Sequence, residues 1–285
     1  MLSEAPGRAR RAGVVGSPIA HSLSPVLHRA AYDALGLTSW TFEAREVRAG
    51  QLRGHVEQLP PEWVGLAVTM PLKEEALALG SEVGAAARLS GAANTLVRRD
   101  GGWLADNTDV HGVVSSLAEA GLRDPRTAVV LGGGATARSA LVALHEMGVR
   151  QVTFLTRDRL RGPTAELAHR LGTDVRALPL HGTRLLLDAA VSDVVVSTLP
   201  PAADPCDLAV PDGATPPVVM DVVYRPWPSR FASAVRAASA GRVPVVDGTG
   251  MLLHQAVRQV ELMTGHNGPV PAMRAALETE GERTA

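Results

Sequence analysis

From Arg11 onward, short β-branched apolar runs alternate with stretches in which apolar residues return every three or four positions. That alternation is the pattern of an α/β protein with mostly parallel sheets. Strands are predicted at 11–15, 40–47 and 65–69, then at 95–98 and 103–105 across the turn Asp100-Gly101-Gly102. Helices are expected between them, including 25–35, where Ser24 is placed to cap and Pro25 occupies the first helical position. A helix over 109–120 leads to Gly121, Asp124 and Pro125, which mark a boundary. Beyond it, strands are predicted at 127–131, 151–155, 175–178, 194–197, 218–221 and 243–246, with helices at 135–147 and 164–171. Amphipathic helix returns at 251–264 and 272–278, and periodicity does not say against which part of the chain these last helices pack.

With 285 residues, the length prior of about 150 residues per domain suggests two domains. Lys plus Arg (28) nearly balance Asp plus Glu (29), so no cationic excess marks a nucleic-acid or membrane-surface partner. The apolar run after Arg8, Arg10 and Arg11 stops at Val15, short of a signal segment, and no stretch approaches the ~18 apolar residues of a membrane span. One cysteine, Cys206, excludes an internal disulfide and a multi-cysteine metal site and suits a reducing, cytoplasmic compartment. Of the 28 basic residues 27 are Arg, and Lys73 is the one Lys. Asn is nearly as rare, at Asn94, Asn107 and Asn267, so the survivors of this compositional bias carry information.

The sharpest local signal is Val129-Val130-Leu131-Gly132-Gly133-Gly134-Ala135-Thr136-Ala137-Arg138, a strand entering a helix with G-x-G-x-x-A spacing. Glycines there let the backbone turn tightly and approach a pyrophosphate, which the helix N-terminus then holds; the alternative is a plain tight turn. The next strand ends in Thr156-Arg157-Asp158-Arg159-Leu160-Arg161. A guanidinium at Arg157 suits the 2'-phosphate of NADP, whereas Asp158 would suit the ribose of NAD if the strand ran one residue further. Some of these arginines simply form a solvated face.

Lys73 follows Val68-Thr69-Met70-Pro71-Leu72 at a helix start. Such a lysine is usually solvated surface, but as the one lysine it is a candidate proton donor, a task arginine cannot perform. Asp109, in Asp106-Asn107-Thr108-Asp109, either caps the following helix or pairs with Lys73, keeping it charged and oriented. Asn107 reads equally as a turn residue. In His21-Ser22-Leu23-Ser24-Pro25, the two hydroxyls are either helix capping or donors for a small carboxylate. Metal-hydrolase and serine-hydrolase signatures are absent from the sequence.

Together, and in this order, these segments resemble the shikimate dehydrogenase family over nearly the whole chain. His21 to Pro25 matches its H-S-L-S-P segment and Val68 to Lys73 its V-T-x-P-x-K segment; Gly91-Ala92-Ala93-Asn94-Thr95, Asn107-Thr108-Asp109, the glycine loop and Asp247-Gly248-Thr249-Gly250-Met251-Leu252-Leu253-His254-Gln255-Ala256 match as well. The resemblance implies NADP-dependent, reversible reduction of 3-dehydroshikimate to shikimate in aromatic amino-acid biosynthesis, with Lys73 and Asp109 as the catalytic pair. It implies a substrate site of Ser22 and Ser24 on the carboxylate, Tyr224 near it, and Thr69, Lys73, Asn94, Asp109 and Gln255 around the ring hydroxyls. Gly132, Gly133, Gly134, Ala135, Thr136, Thr156, Arg157, Arg161, Gly248 and Met251 are the implied cofactor contacts, with no metal.

The implied fold is two α/β domains, a substrate-binding domain with a mixed sheet (1–108 plus 250–285) and a Rossmann-type NADP-binding domain (109–249), in a monomer or homodimer. Three positions depart from or qualify the pattern. Ala67 stands where many members have Asn, Asp158 follows Arg157 where an Asn-Arg-Thr run is usual, and Ser24 favours shikimate over quinate. The alternatives are an NAD-dependent quinate/shikimate dehydrogenase, an enzyme for an amino-substituted ring, and a non-catalytic ligand-sensing module.

Overall fold

The computed structural model describes residues 9–160 and 162–282. Arg161, an expected cofactor contact, lies outside the described residues. In chain order the first elements are β1 (Arg10–Gly16), α1 (Ser24–Ala34), β2 (Trp40–Glu46), α2 (Leu52–Glu57), β3 (Trp63–Val68), α3 (Lys73–Leu79), β4 (Glu82–Val83), α4 (Ala85–Ser90), β5 (Thr95–Arg99) and β6 (Gly102–Asp106). Then come α5 (Asp109–Glu119), β7 (Thr127–Leu131), α6 (Ala135–Glu146), β8 (Gln151–Thr156), α7 (Gly162–Leu171), β9 (Asp174–Pro179), β10 (Arg184–Leu186), β11 (Val194–Ser197), β12 (Asp207–Ala209), β13 (Val218–Asp221), α8 (Arg230–Ala238), β14 (Val245–Val246), α9 (Thr249–Thr264) and α10 (Val270–Glu282).

The chain divides into two compact units, one running to Thr108 and resuming at Leu253, the other spanning Asp109–Leu252. Unit 1 holds a six-stranded sheet in the order β2-β1-β3-β5-β6-β4. Its β1, β2 and β3 are parallel, and the β5–β6 hairpin joins β3 antiparallel, so the sheet is mixed. Alternation with period two divides its core. Val15, Leu66 and Val68 face a cluster with Leu52, Val56 and Leu72, while Ala12, Val14 and Ala67 face one with Tyr32, Phe42 and Met263. Burying each large apolar side chain contributes about 1.5–3 kcal/mol. Gly65 has no side chain because Met263 lies in its place: a Cβ there would be 2.8 Å from Met263 Cε. Ala67, where an Asn was the family expectation, is a core residue at 4% exposure.

Unit 2 holds a six-stranded, all-parallel sheet in the order β14-β13-β11-β7-β8-β9, with the small parallel pair β10–β12 beside it. Counted from its own first strand β7, the order is 3-2-1-4-5-6, the doubly wound arrangement whose crossovers reverse between β7 and β11.

Local chemistry explains where boundaries differ from the sequence-based expectation. Ser24 is not the cap of α1: Leu23 holds that position without a side-chain bond, and Ser22 Oγ accepts from the Ser24 N–H at 3.3 Å. The strand expected at 243–246 shortens to Val245–Val246, because Pro244 has no N–H for the ladder. Helix α8 escaped the pattern, and its start is set by Ser229, whose hydroxyl accepts from Ala232 N–H.

Candidate functional site

In unit 1 the loops after the parallel strands carry the motif residues. The N–H of Thr69 donates to Val15 O at 2.9 Å, which ties the end of β3 to the end of β1. Gly16 makes this possible, since a Cβ there would overlap Thr69 Cγ2 and lie 2.9 Å from Met70 O. Three residues on, Lys73 opens α3, and its carbonyl accepts from Ala93 N–H at 2.8 Å. The Gly91–Thr95 segment is thereby laid against the start of α3. Thr69 and Lys73 are half-buried, Ser22 is half-buried and Ser24 is 6% exposed.

Asn94 is the hub. Its N–H donates to Asp106 O at 3.0 Å and its carbonyl accepts from Val68 N–H at 2.7 Å, so the backbone is pinned between β3 and β6. Its side-chain oxygen accepts from Thr95 Oγ1 at 2.7 Å and from Thr108 N–H at 2.8 Å. That leaves Nδ2 to donate to Thr108 Oγ1 at 3.0 Å and to Gln255 Oε1 at 3.3 Å. Two motif residues from opposite ends of the sequence therefore meet in one buried polar site, Asn94 at 2% and Gln255 at 7% exposure. Asn107 Nδ2 donates to Ser90 Oγ at 2.8 Å, a turn-fixing contact. Reading the sequence missed Thr108 and Gln259, the latter one helical turn beyond Gln255 and donating to Asn94 O at 3.2 Å.

In unit 2 the glycine turn connects β7 to α6 at the point where the sheet order reverses, the usual ligand position in such sheets. Gly132 has φ +105, and a Cβ there would overlap Thr198 Oγ1, so glycine is needed on both counts. Gly134 is the N-cap of α6 without a side-chain cap bond, and a Cβ there would meet nothing within 4 Å. The helix start at Ala135 and Thr136 is thus an open cradle with helical N–H groups at its base, as a pyrophosphate requires. Strand β8 runs to Thr156, one residue beyond expectation, which is the extension under which Asp158 would suit a ribose, and the Thr156 hydroxyl turns onto Asp158 O at 2.6 Å. Arg157 and Asp158 are exposed beyond it.

The same unit positions Tyr224 and Met251. Asp221, fully buried at the end of β13, accepts from Val223 N–H at 3.1 Å and from the Ser229 hydroxyl. Burial pushes its carboxyl pKa up, against the hydrogen bonds that pull it down. Gly248 N–H donates to Val223 O at 3.0 Å, fixing the 222–224 segment to the start of α9, where Met251 is 7% exposed. Asp109 opens α5 and is 5% exposed. Cys206 is buried, and burial raises its thiol to about 11, so it is an inert core residue. Among the described residues no group of three or more His, Cys, Asp or Glu could hold a metal ion, and no helix is long and apolar enough to cross a membrane.

Comparison with known proteins gives consistent similarities. The family model for the shikimate dehydrogenase substrate binding domain matches residues 14–96, and that for the shikimate 5'-dehydrogenase C-terminal domain matches 248–278. A shikimate dehydrogenase (NADP(+)) of Rubrobacter xylanophilus is 37% identical, over 96% of this chain and 98% of its own length. The crystal structure of the Mycobacterium tuberculosis shikimate dehydrogenase is 42% identical, with a TM-score of 0.79 over 95% of this chain and 99% of that one. A shikimate 5-dehydrogenase from Thermus thermophilus, solved in complex with NADP(H) and shikimate, is 31% identical with a TM-score of 0.77 over 95% and 99%. The chain belongs to the shikimate dehydrogenase family.

Proposed function

We propose that the protein is an NADP-dependent shikimate dehydrogenase that interconverts 3-dehydroshikimate and shikimate. The observation that carries this reading is the bond between Asn94 and Gln255, which gathers motif residues 161 positions apart into one buried polar site in unit 1. An amide pair of this kind suits a polyhydroxylated ring, because amides both donate to and accept from hydroxyls. The relatives named as NADP(+) enzymes, and the Thermus thermophilus protein solved with NADP(H) and shikimate, support the same reading.

In this mechanism residues to 108 and from 250 form the substrate domain and 109–249 the dinucleotide domain. Ser22, Ser24 and Tyr224 bind the carboxylate. Thr69, Asn94, Asp109 and Gln255 hold the ring hydroxyls. The turn Gly132–Thr136 takes the pyrophosphate, Thr156, Arg157 and Arg161 the adenosine phosphate, and Gly248 and Met251 the nicotinamide side. Bound NADPH supplies hydride to the C3 carbonyl carbon. Lys73 delivers a proton to the carbonyl oxygen as negative charge develops there, and Asp109 keeps Lys73 oriented and charged. The protein acts on small molecules in the cytoplasm, as a monomer or homodimer.

Initial rates of nicotinamide reduction, with shikimate or quinate crossed against NADP+ or NAD+ and no added metal, test the assignment. Activity with shikimate and NADP+ is the expected result. Preference for quinate or NAD+ would replace it with the broader dehydrogenase, and silence in all four combinations would overturn it.

A further inference from the structure

Behind Asn94, unit 1 buries four polar side chains that the chemistry above does not use: Tyr32, His28, Gln259 and Thr95, none more than 2% exposed. His28 lies on α1 with its ring stacked on Phe42, centroids 3.9 Å apart and planes 14° from parallel. Gln259 lies on α9, one turn after Gln255.

Their hydrogen bonds have one consistent direction. The Asn94 carbonyl can only accept, so the atom of Gln259 at 3.2 Å from it is the amino nitrogen, which also reaches Thr95 Oγ1 at 3.0 Å. The Gln259 oxygen then faces His28 Nε2 at 3.2 Å, and that nitrogen must carry the ring proton. Nδ1 is left as the acceptor facing the Tyr32 hydroxyl at 3.5 Å. Burial lowers the His28 pKa to about 4, which holds the ring neutral and suits a single tautomer. Having received from Gln259, the Thr95 hydroxyl gives its own proton to Asn94 Oδ1 at 2.7 Å. Because Oδ1 also accepts from Thr108 N–H, Asn94 presents its amino group to Gln255 Oε1. Reversing either amide would set donor against donor or acceptor against acceptor in a buried site, where unmet polar groups are costly.

We propose that Gln259 is a positioning residue for substrate recognition: from the middle of α9 it fixes the orientation of Asn94 and Thr95 and, through Asn94, that of Gln255. This rests on the assignment of Asn94 and Gln255 to the ring hydroxyls of shikimate. His28 backs Gln259 and Tyr32 backs His28, so the middle of α1 supports the site from behind.

The test is steady-state kinetics of the whole chain with shikimate and NADP+. Gln259→Met should raise the KM for shikimate about tenfold, the equivalent of one positioned hydrogen bond, while the KM for NADP+ stays within about twofold. Thr95→Val, nearly isosteric, should do the same and serves if the first variant does not fold. Combined with Asn94→Ala, Gln259→Met should add little further loss. An unmoved KM for shikimate in the folded variants, or full additivity with Asn94→Ala, would overturn the inference while leaving the functional reading intact. A parent chain that fails to oxidise shikimate overturns that reading, and this inference with it.

Discussion

Gly248 lies so close to Val222 that a methyl group on its Cα would overlap the Val222 carbonyl oxygen and come within 2.6 Å of the carbonyl carbon. Its N–H meanwhile donates to Val223 O at 3.0 Å, so the start of α9 and the segment leading to Tyr224 are held backbone to backbone. Backbone cannot swing aside as a side-chain tip can. Gly248→Ala should therefore cost about 1–3 kcal/mol of stability in urea unfolding and displace Tyr224, raising the KM for shikimate. A variant with unchanged midpoint and KM would show that the contact tolerates a side chain.

Gly16 plays the corresponding part in unit 1. A Cβ there would overlap Thr69 Cγ2 and approach Met70 O at 2.9 Å. The neighbours most able to move are the Thr69 side chain and the loop leading to Lys73. Gly16→Ala should raise the KM for shikimate several-fold with a smaller change in the KM for NADP+, measured by initial rates.

Lys73→Ala should lower kcat by about 10²–10⁴ with a modest change in KM, because a proton donor acts most strongly in the transition state. Lys73→Arg should not restore the rate, since guanidinium holds its proton too tightly. Near-native turnover in Lys73→Ala would remove Lys73 from the mechanism.

His28 gives the stability a pH dependence of known sign. Folding pushes its pKa from the ordinary 6.5 down to about 4 by burial, so in this window the unfolded chain binds a proton that the native chain does not. The contribution is fully present above about pH 6.5 and is lost progressively as pH falls toward 4. Between pH 7 and pH 5 the parent should lose on the order of 2 kcal/mol more than His28→Gln, read from urea midpoints at both pH values. Equal losses would mean that His28 is accessible to protons in the native state.

The two sites differ in how far their sequence discloses them. The glycine turn after β7 is legible because its chemistry is local: strand, glycines and helix start are consecutive, and each glycine meets a steric demand of its own neighbourhood. Lys73 stands out through the compositional bias of the chain, which leaves it as the one lysine. Gln259 carries no such mark. Its partners Asn94 and Thr95 lie 165 and 164 positions away, and only the return of α9 to unit 1 gives a glutamine in an amphipathic helix something to orient. Ser24 misleads for a related reason, since its place before Pro25 fits a cap, yet the hydroxyl that serves the helix start is that of Ser22.

In the proposed function, cofactor choice is assigned to the exposed pair beyond β8. Thr156 gives its hydroxyl proton to Asp158 O, and the two exposed side chains that follow it directly, Arg157 and Asp158, are of opposite charge. A guanidinium binds phosphate through charge-assisted hydrogen bonds, whereas a carboxylate repels it and suits a ribose hydroxyl. Arg157→Ala should raise the KM for NADP+ about tenfold or more and leave that for NAD+ nearly unchanged. Asp158→Ala should move the ratio of kcat/KM for NADP+ over NAD+ upward by only a fewfold, because exposed charges in water interact weakly, by about 0–1 kcal/mol. If Arg157→Ala left the ratio intact while Asp158→Ala raised it steeply, the carboxylate would be the discriminator, and the strand would work as an NAD site with NADP admitted against its charge.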